Sequence, residues 1–129
     1  MAGQKLHRLL LVDDNQDLVS ALKKGLEKQD FQVDGFSNPE VALQKFKADY
    51  YDSILLDIRM PRMSGFELYW ALKGIDDKPT FAFLSAHHDY AKQARAILPS
   101  MNTDCFIEKP IAVERLIKKL ESCAKNNVS

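Results

Sequence analysis

The sequence predicts an α/β fold, a doubly wound five-stranded parallel sheet in the order 2-1-3-4-5. Three observations lead there. Short apolar runs alternate strictly with amphipathic stretches of helical period along all 129 residues, the pattern of a parallel sheet covered on both faces by right-handed crossovers. The first, third and fourth runs are apolar without alternation, as in strands buried on both sides. Those runs and the fifth all stop at polar or charged residues, on the edge where open α/β sheets bind ligands.

The bulk numbers bound the rest. The length suits one domain with a full core. Hydrophobic residues make up 46% and charged residues 28%, a globular composition. Lys+Arg 18 against Asp+Glu 18 leaves a formal net charge of +0, so neither a nucleic-acid footprint nor a polybasic membrane patch is present. No apolar run approaches the roughly 20 residues of a membrane span, and Met1-Ala2-Gly3-Gln4-Lys5 lacks the apolar stretch of a secretory signal. Cys105 and Cys123 fit neither a disulfide scaffold nor a metal knuckle; they read as buried small hydrophobes in a protein of a reducing compartment.

In chain order, residues 9–12 form a buried strand broken by Asp13-Asp14. Asn15 caps the next helix and Asp17 suits its positive end. Leu18, Leu22 and Leu26 face the sheet, opposite Lys23, Lys24, Glu27 and Lys28. Phe31, Val33 and Gly35 alternate with polar residues, as in an edge strand. Asn38-Pro39-Glu40 starts the second helix, which buries Ala42, Leu43 and Phe46 and is expected to end near Asp49-Tyr50. The third strand, residues 53–56, stops at Asp57. Met60-Pro61 cannot continue a central strand.

Ser64-Gly65 ends the following loop. Phe66, Leu68, Tyr69, Leu72 and Ile75 mark the third helix, closed by Gly74 and Asp76-Asp77, with Pro79 beyond. Tyr69 and Trp70 read as core and rim aromatics. Residues 81–84 form the fourth strand, ending at Ser85. Tyr90, Ala91, Ala94, Ile97 and Leu98 mark a fourth helix, stopped by Pro99. Asn102 sits at a turn that tolerates left-handed backbone. Cys105-Phe106-Ile107 reads as the fifth strand, closed by Glu108-Lys109-Pro110. Val113, Leu116, Ile117 and Leu120 build the fifth helix. The domain is expected over residues 5–125, with residues 1–4 and 126–129 as flexible termini.

The strand order places the first and third strands side by side, so Asp13, Asp14 and Asp57 converge. Three carboxylates in one crevice repel one another and call for a cation; an all-oxygen donor set with few protein ligands suits Mg²⁺. Ser85 brings a hydroxyl and Lys109 a mobile positive charge. Around a carboxylate, these groups meet the needs of phosphoryl transfer to Asp57. Singly, each has an ordinary reading as a helix cap, a turn residue or a solvated charge. Their coincidence on one sheet edge favours the joint one.

Four pieces carry a resemblance. Leu11-Val12-Asp13-Asp14, the stretch Leu55-Leu56-Asp57-Ile58-Arg59-Met60-Pro61-Arg62-Met63-Ser64-Gly65, Leu84-Ser85-Ala86, and Phe106-Ile107-Glu108-Lys109-Pro110 together resemble a response regulator receiver domain. The resemblance runs from about Lys5 to Lys125 and implies a flavodoxin-like (βα)5 fold. It implies that Asp57 is the phospho-acceptor in two-component signalling. Asp14, Asp57 and the backbone carbonyl of Arg59 would ligate Mg²⁺, with Asp13 helping through water. Ser85 and Lys109 would bind phosphoryl oxygens, the Lys109–Pro110 bond would be cis, and Phe106 would change rotamer as Ser85 moves.

It further implies a histidine kinase or histidine phosphotransfer protein as donor. The output would be a changed surface on the fourth predicted helix, fifth strand and fifth predicted helix, facing an output domain, an effector or a second copy. Such a protein is cytoplasmic and is not an enzyme beyond assisting its own aspartyl phosphorylation and dephosphorylation. Two alternatives stand beside it. One is a phosphorylation-independent pseudo-receiver module, against which the intact site argues. The other is a phosphatase with an aspartyl nucleophile, which usually carries a second acid where Arg59 stands.

The sequence also departs from the commonest pattern. Ser85 stands where threonine is frequent, leaving a less restricted rotamer. Arg59 and His87 occupy the variable positions two residues beyond Asp57 and Ser85, where they are expected to modulate phosphate lifetime by screening it from water. His87-His88 is not a metal pair, because adjacent helical residues do not face each other. Leu98-Pro99-Ser100-Met101-Asn102 lacks the usual glycine, which leaves the end of the fourth helix open.

Overall fold

The computed structural model describes residues 5–86, 92–93 and 96–126. Its five parallel strands are β1 (His7–Val12), β2 (Phe31–Phe36), β3 (Ser53–Asp57), β4 (Thr80–Ser85) and β5 (Phe106–Glu108). They lie in the order β2-β1-β3-β4-β5, as the sequence predicts. The helices are α1 (Gln16–Glu27), α2 (Pro39–Lys45), α3 (Gly65–Ile75) and the C-terminal α4 (Val113–Asn126). Among the described residues no helix is long and apolar enough to cross a membrane.

The period of two along each strand divides the core. Leu10 and Val12 of β1, with Ile54, Leu56, Phe81, Phe83 and Phe106, pack beneath Ala42 of α2 and Leu68, Tyr69 and Leu72 of α3. Leu9 and Leu11, with Leu55, Ala82, Leu84 and Ile107, pack against Leu22 and Leu26 of α1 and Leu116 and Leu120 of α4. Leu9, Leu10, Leu11, Ile54, Leu55 and Leu56 are all fully buried, which explains why the central strands read as continuous apolar runs.

Local signals set the helix starts. Asn15 accepts the N–H of Leu18 at 3.1 Å. Asn38 accepts the N–H of Glu40 at 2.9 Å, with Pro39 opening α2. Ser64 caps α3 in a full capping box with Glu67.

Several expectations need correcting. In α1, Val19 joins Leu22 and Leu26 in the core while Leu18 is only half-buried. Helix α2 ends at Lys45, short of Asp49-Tyr50. Phe46 turns extended there to stack on Tyr51 at 5.6 Å, and Asp49 reverses the chain at φ 59°. Ile75 is exposed, because it is the last residue of α3 and lies past its packed turn. Tyr69 and Trp70 are core and rim aromatics, the second more than half exposed.

Asn102 has φ −56° instead of left-handed backbone, and caps a 3-10 turn over Thr103–Cys105. That turn takes Cys105 out of the fifth strand, which begins at Phe106. Most consequential, Cys105 and Cys123 are joined in a disulfide. In the sequence they read as separate hydrophobes, one opening a strand and one on a helix, and the packing of α4 beside the 3-10 turn brings them together. Of the predicted fourth helix, residues 92–93 and 96–97 are helical, Leu98 is buried and Ile97 exposed. Its other marker residues, and both termini except Asn126 at the end of α4, lie outside the described residues.

Candidate functional site

Parallel strands end on one edge, so the residues that stop them meet. Register pairs Val12 with Leu56 across β1 and β3, which brings the acids following each to the same level. Asp13 is completely buried. Its Oδ1 accepts the backbone N–H of Asn15 at 2.9 Å, and its own N–H donates to the Phe36 carbonyl at 3.1 Å. Asp57 is 4% exposed, whereas Asp14 faces solvent. One carboxylate oxygen from each of Asp13, Asp14 and Asp57 lies within 4.8 Å of the others.

The next two strands supply the remaining groups. Ser85 ends β4 and is buried. The backbone N–H of Lys109 donates to the Ser85 carbonyl at 2.8 Å, and the Lys109–Pro110 bond is cis. Lys109 Nζ lies 2.7 Å from Asp13 Oδ2 and 3.4 Å from Asp57 Oδ1. Asp14, Asn15, Asp57, Ile58, Arg59, Ser85, Ala86 and Lys109 line an open cavity of about 320 Å³.

Burial drives the electrostatics. It raises the Asp57 pKa, the Asp13 charge adds to it, the Lys109 ammonium opposes both, and together they leave the group at about 7. For Lys109, burial pulls the pKa down, but its contacts with Asp13 and Asp57 outweigh this and hold it above the ordinary lysine value. The Lys109 ammonium therefore lies between two of the carboxylates, Asp13 and Asp57.

The donor set fits a hard divalent cation. All three side chains offer oxygen, and buried Asp13 Oδ2 meets the Lys109 ammonium without forming a hydrogen bond of good geometry. Oxygen ligands that leave room for water are what Mg²⁺ prefers. Asp14, Asp57 and the Arg59 carbonyl are the groups that would hold it, with Asp13 helping through water.

The structure thus brings Asp13, Asp14, Asp57, Arg59, Ser85 and Lys109 to one rim, with Arg59 exposed. Phe106 lies further down β5, 8% exposed and stacked on Phe83 at 5.7 Å. His87 lies outside the described residues.

Sequence reasoning underrates Gly65, reading it only as a loop ending. Its N–H donates to the Ile58 carbonyl at 2.8 Å. A Cβ at this position would strike the Asp57 carbonyl oxygen and come within 2.9 Å of Ile58 Cα. The start of α3 is therefore pressed against the backbone that carries Asp57. The Ser-Gly pair directly after the strand-end loop is the signal that could have found it.

Comparisons with known proteins bear on the family and the fold. Residues 9–121 match the model of the response regulator receiver domain. The C4-dicarboxylate transport transcriptional regulatory protein DctD of Rhizobium meliloti is 32% identical over 110 residues, covering 85% of this chain and 24% of that protein. The regulatory protein VanRB of Enterococcus faecalis is 28% identical over 120 residues, covering 93% of this chain and 53% of its own length. The chain therefore spans about a quarter to a half of these relatives. Among solved structures, a response regulator from Burkholderia pseudomallei with a phosphorylated aspartic acid, calcium ion and citrate superposes with a TM-score of 0.77. It has 24% identity, and the match covers 92% of this chain and 69% of that one.

Proposed function

The chain belongs to the response regulator receiver-domain family, and from that membership and the geometry of the acid rim we propose that Asp57 accepts a phosphoryl group from a phosphohistidine. Receiver domains of two-component response regulators are signalling modules rather than classical enzymes; phosphorylation-dependent switching is their general role, and they are generally Mg²⁺-dependent. The observation that carries the residue-level proposal is the convergence of Asp13, Asp14 and Asp57, with Lys109 between two of them.

In the proposed reaction an Asp57 carboxylate oxygen attacks the donor's phosphorus. A P–O bond forms as the P–N bond breaks, and the electron pair returns to the imidazole nitrogen. Asp57 reacts as the carboxylate, so its raised pKa holds part of it unreactive at neutral pH until positive charge arrives. Mg²⁺ held at the acid rim would supply that charge. Lys109 turns from Asp13 toward a phosphoryl oxygen, and the Ser85 hydroxyl donates to another. Arg59 and His87, two residues beyond Asp57 and Ser85 in sequence, are proposed to lengthen the life of the phosphoryl group by screening it from water.

Phe106 follows Ser85, altering the surface of β5, α4 and the stretch around residues 92–98. A phosphoryl group that binds one arrangement of these elements better shifts the population toward it. The donor is proposed to be a histidine kinase or a histidine phosphotransfer protein; the altered surface serves an output domain, an effector or a second copy. The functional unit is proposed to span residues 5–125.

The test is transfer of labelled phosphoryl from a phosphohistidine donor in the presence of Mg²⁺. Wild type takes up label and Asp57→Asn takes up none. Wild type that stays unlabelled, and whose spectra do not change with beryllofluoride, would instead be a phosphorylation-independent interaction module.

A further inference from the structure

The disulfide sits beside the segment assigned to switching. Cys105 directly precedes Phe106, the first residue of β5, and Cys123 lies in the last turns of α4. The same two elements are also held by polar contacts. Asn102 Nδ2 donates to the Ser122 carbonyl at 3.1 Å, the Ser122 hydroxyl donates to Asp104, and Lys119 Nζ lies 3.8 Å from Asp104. These contacts keep the 3-10 turn against α4 whether or not the sulfurs are bonded, so the thiols stay close enough to rejoin.

The site also accommodates the open form. Cys123 Sγ lies 3.6 Å from the Phe81 carbonyl oxygen, so a reduced Cys123 thiol has a hydrogen-bond acceptor already in place. Both cysteines are completely buried. In a reducing compartment, a disulfide is characteristically transient and redox-sensing rather than a static staple.

We propose that Cys105 and Cys123 form a reversible redox site that sets how readily the switch responds. This rests on the reading of Asp57 and Phe106 given above. Closing it removes two protons and two electrons from the thiols and passes them to a disulfide of the glutathione class, which becomes two thiols. One cysteine thiolate attacks that disulfide and expels a thiolate, and the second cysteine then expels the other. Because both sulfurs are buried, exchange waits on local opening of α4. The closed bond ties the backbone beside Phe106 to α4 in the arrangement described here, and so opposes the rearrangement that accompanies phosphorylation. The open pair leaves the 3-10 turn held to α4 by polar contacts and core packing without a covalent tie.

The full chain is equilibrated in glutathione buffers of graded ratio, quenched with an alkylating reagent under denaturing conditions, and weighed. The expected result is a titration from two alkylated cysteines to none, with intermediate occupancy inside the range of glutathione ratios. Beryllofluoride affinity with Mg²⁺ is then measured on both forms. The oxidised form is expected to bind roughly fivefold more weakly, a coupling of ordinary allosteric size. Cys123→Ser keeps a donor for the Phe81 carbonyl and is expected to match the reduced form in every buffer.

A pair that never closes, or never opens, overturns the proposal. Equal beryllofluoride affinity in the two forms overturns it too and leaves the phosphorylation switch intact. No beryllofluoride binding by either form overturns the switch itself, and the redox coupling with it. The comparison of oxidised with reduced wild type needs no variant, so it stands even if Cys123→Ser does not fold.

Discussion

Two buried aspartates at opposite ends of the molecule have opposite electrostatics. Asp76 follows α3 at the amino edge of the sheet and is 5% exposed. It accepts backbone N–H groups from Asp49 at 2.9 Å and Lys78 at 3.1 Å, and meets the Lys78 ammonium at 3.1 Å. The hydrogen bond from Asp49, then that from Lys78, holds its pKa below the usual carboxylate value despite burial. Asp57 is as little exposed at the other edge, yet burial and the Asp13 charge raise its pKa to about 7. Burial alone therefore does not mark a reactive acid. What separates the two is whether the fold spends backbone donors on the carboxylate: Asp76 is satisfied, and Asp57 is left wanting a cation.

The largest expected effect tests that contrast directly. Asp76→Asn should keep phosphoryl uptake, while Asp57→Asn loses it entirely, read by labelled transfer. Uptake lost in both would remove the functional distinction.

Next comes the backbone beneath Asp57. Gly65→Ala forces a methyl group against the Asp57 carbonyl and should destabilise the fold by about 3 kcal/mol, as overpacking against rigid neighbours does. Denaturant unfolding checks this. A neutral result would mean that the start of α3 yields easily.

Removing the satisfied acid should cost somewhat less. Asp76→Ala strands two backbone donors and should destabilise by about 2 kcal/mol, with Mg²⁺ affinity unchanged by titration calorimetry. Because the folded pKa of Asp76 is depressed, its stabilisation is present above the unfolded value of about 4 and is lost as pH falls through the lower folded value. The variant should therefore converge with wild type in acid.

A further effect has the opposite sign. The Asp57 carboxyl holds its proton more tightly folded than unfolded. Its contribution therefore turns unfavourable as pH rises from about 4, its unfolded value, to about 7, its folded value, and levels off above that. Without divalent cation, Asp57→Asn should be more stable than wild type at pH 8, by up to about 4 kcal/mol, and equal to it at pH 4. Equality at both pH values would show that Lys109 fully compensates the buried charge.

Much of the fold is legible in the sequence because its signals are local. Apolar runs ending at Asp13, Asp57 and Ser85 announce strands, and Asn15, Asn38 and Ser64 announce helix starts one to three residues away. Strand–helix alternation points to a parallel sheet, 2-1-3-4-5 is the common order that suits five strands, and that order predicts that Asp13, Asp14 and Asp57 meet. What is not legible depends on partners distant in the chain. Asp76 reads as a helix-closing acid because its donor at Asp49 lies 27 residues upstream. The disulfide depends on how α4 lies beside the 3-10 turn, and spacing does not encode that. The end of α2 is misread because Phe46 suits either a helical stripe or an extended turn, and its stacking on Tyr51 decides the matter.

Asn15 does two jobs with one residue. Its side chain fastens the first turn of α1 through Leu18, and its backbone N–H orients Asp13. Fraying of that helix end and loosening of the acid are consequently a single event. An ion that steadies Asp13 should slow amide hydrogen exchange at Leu18, so occupancy of the rim can be followed from a reporter that touches neither the ion nor the phosphoryl group.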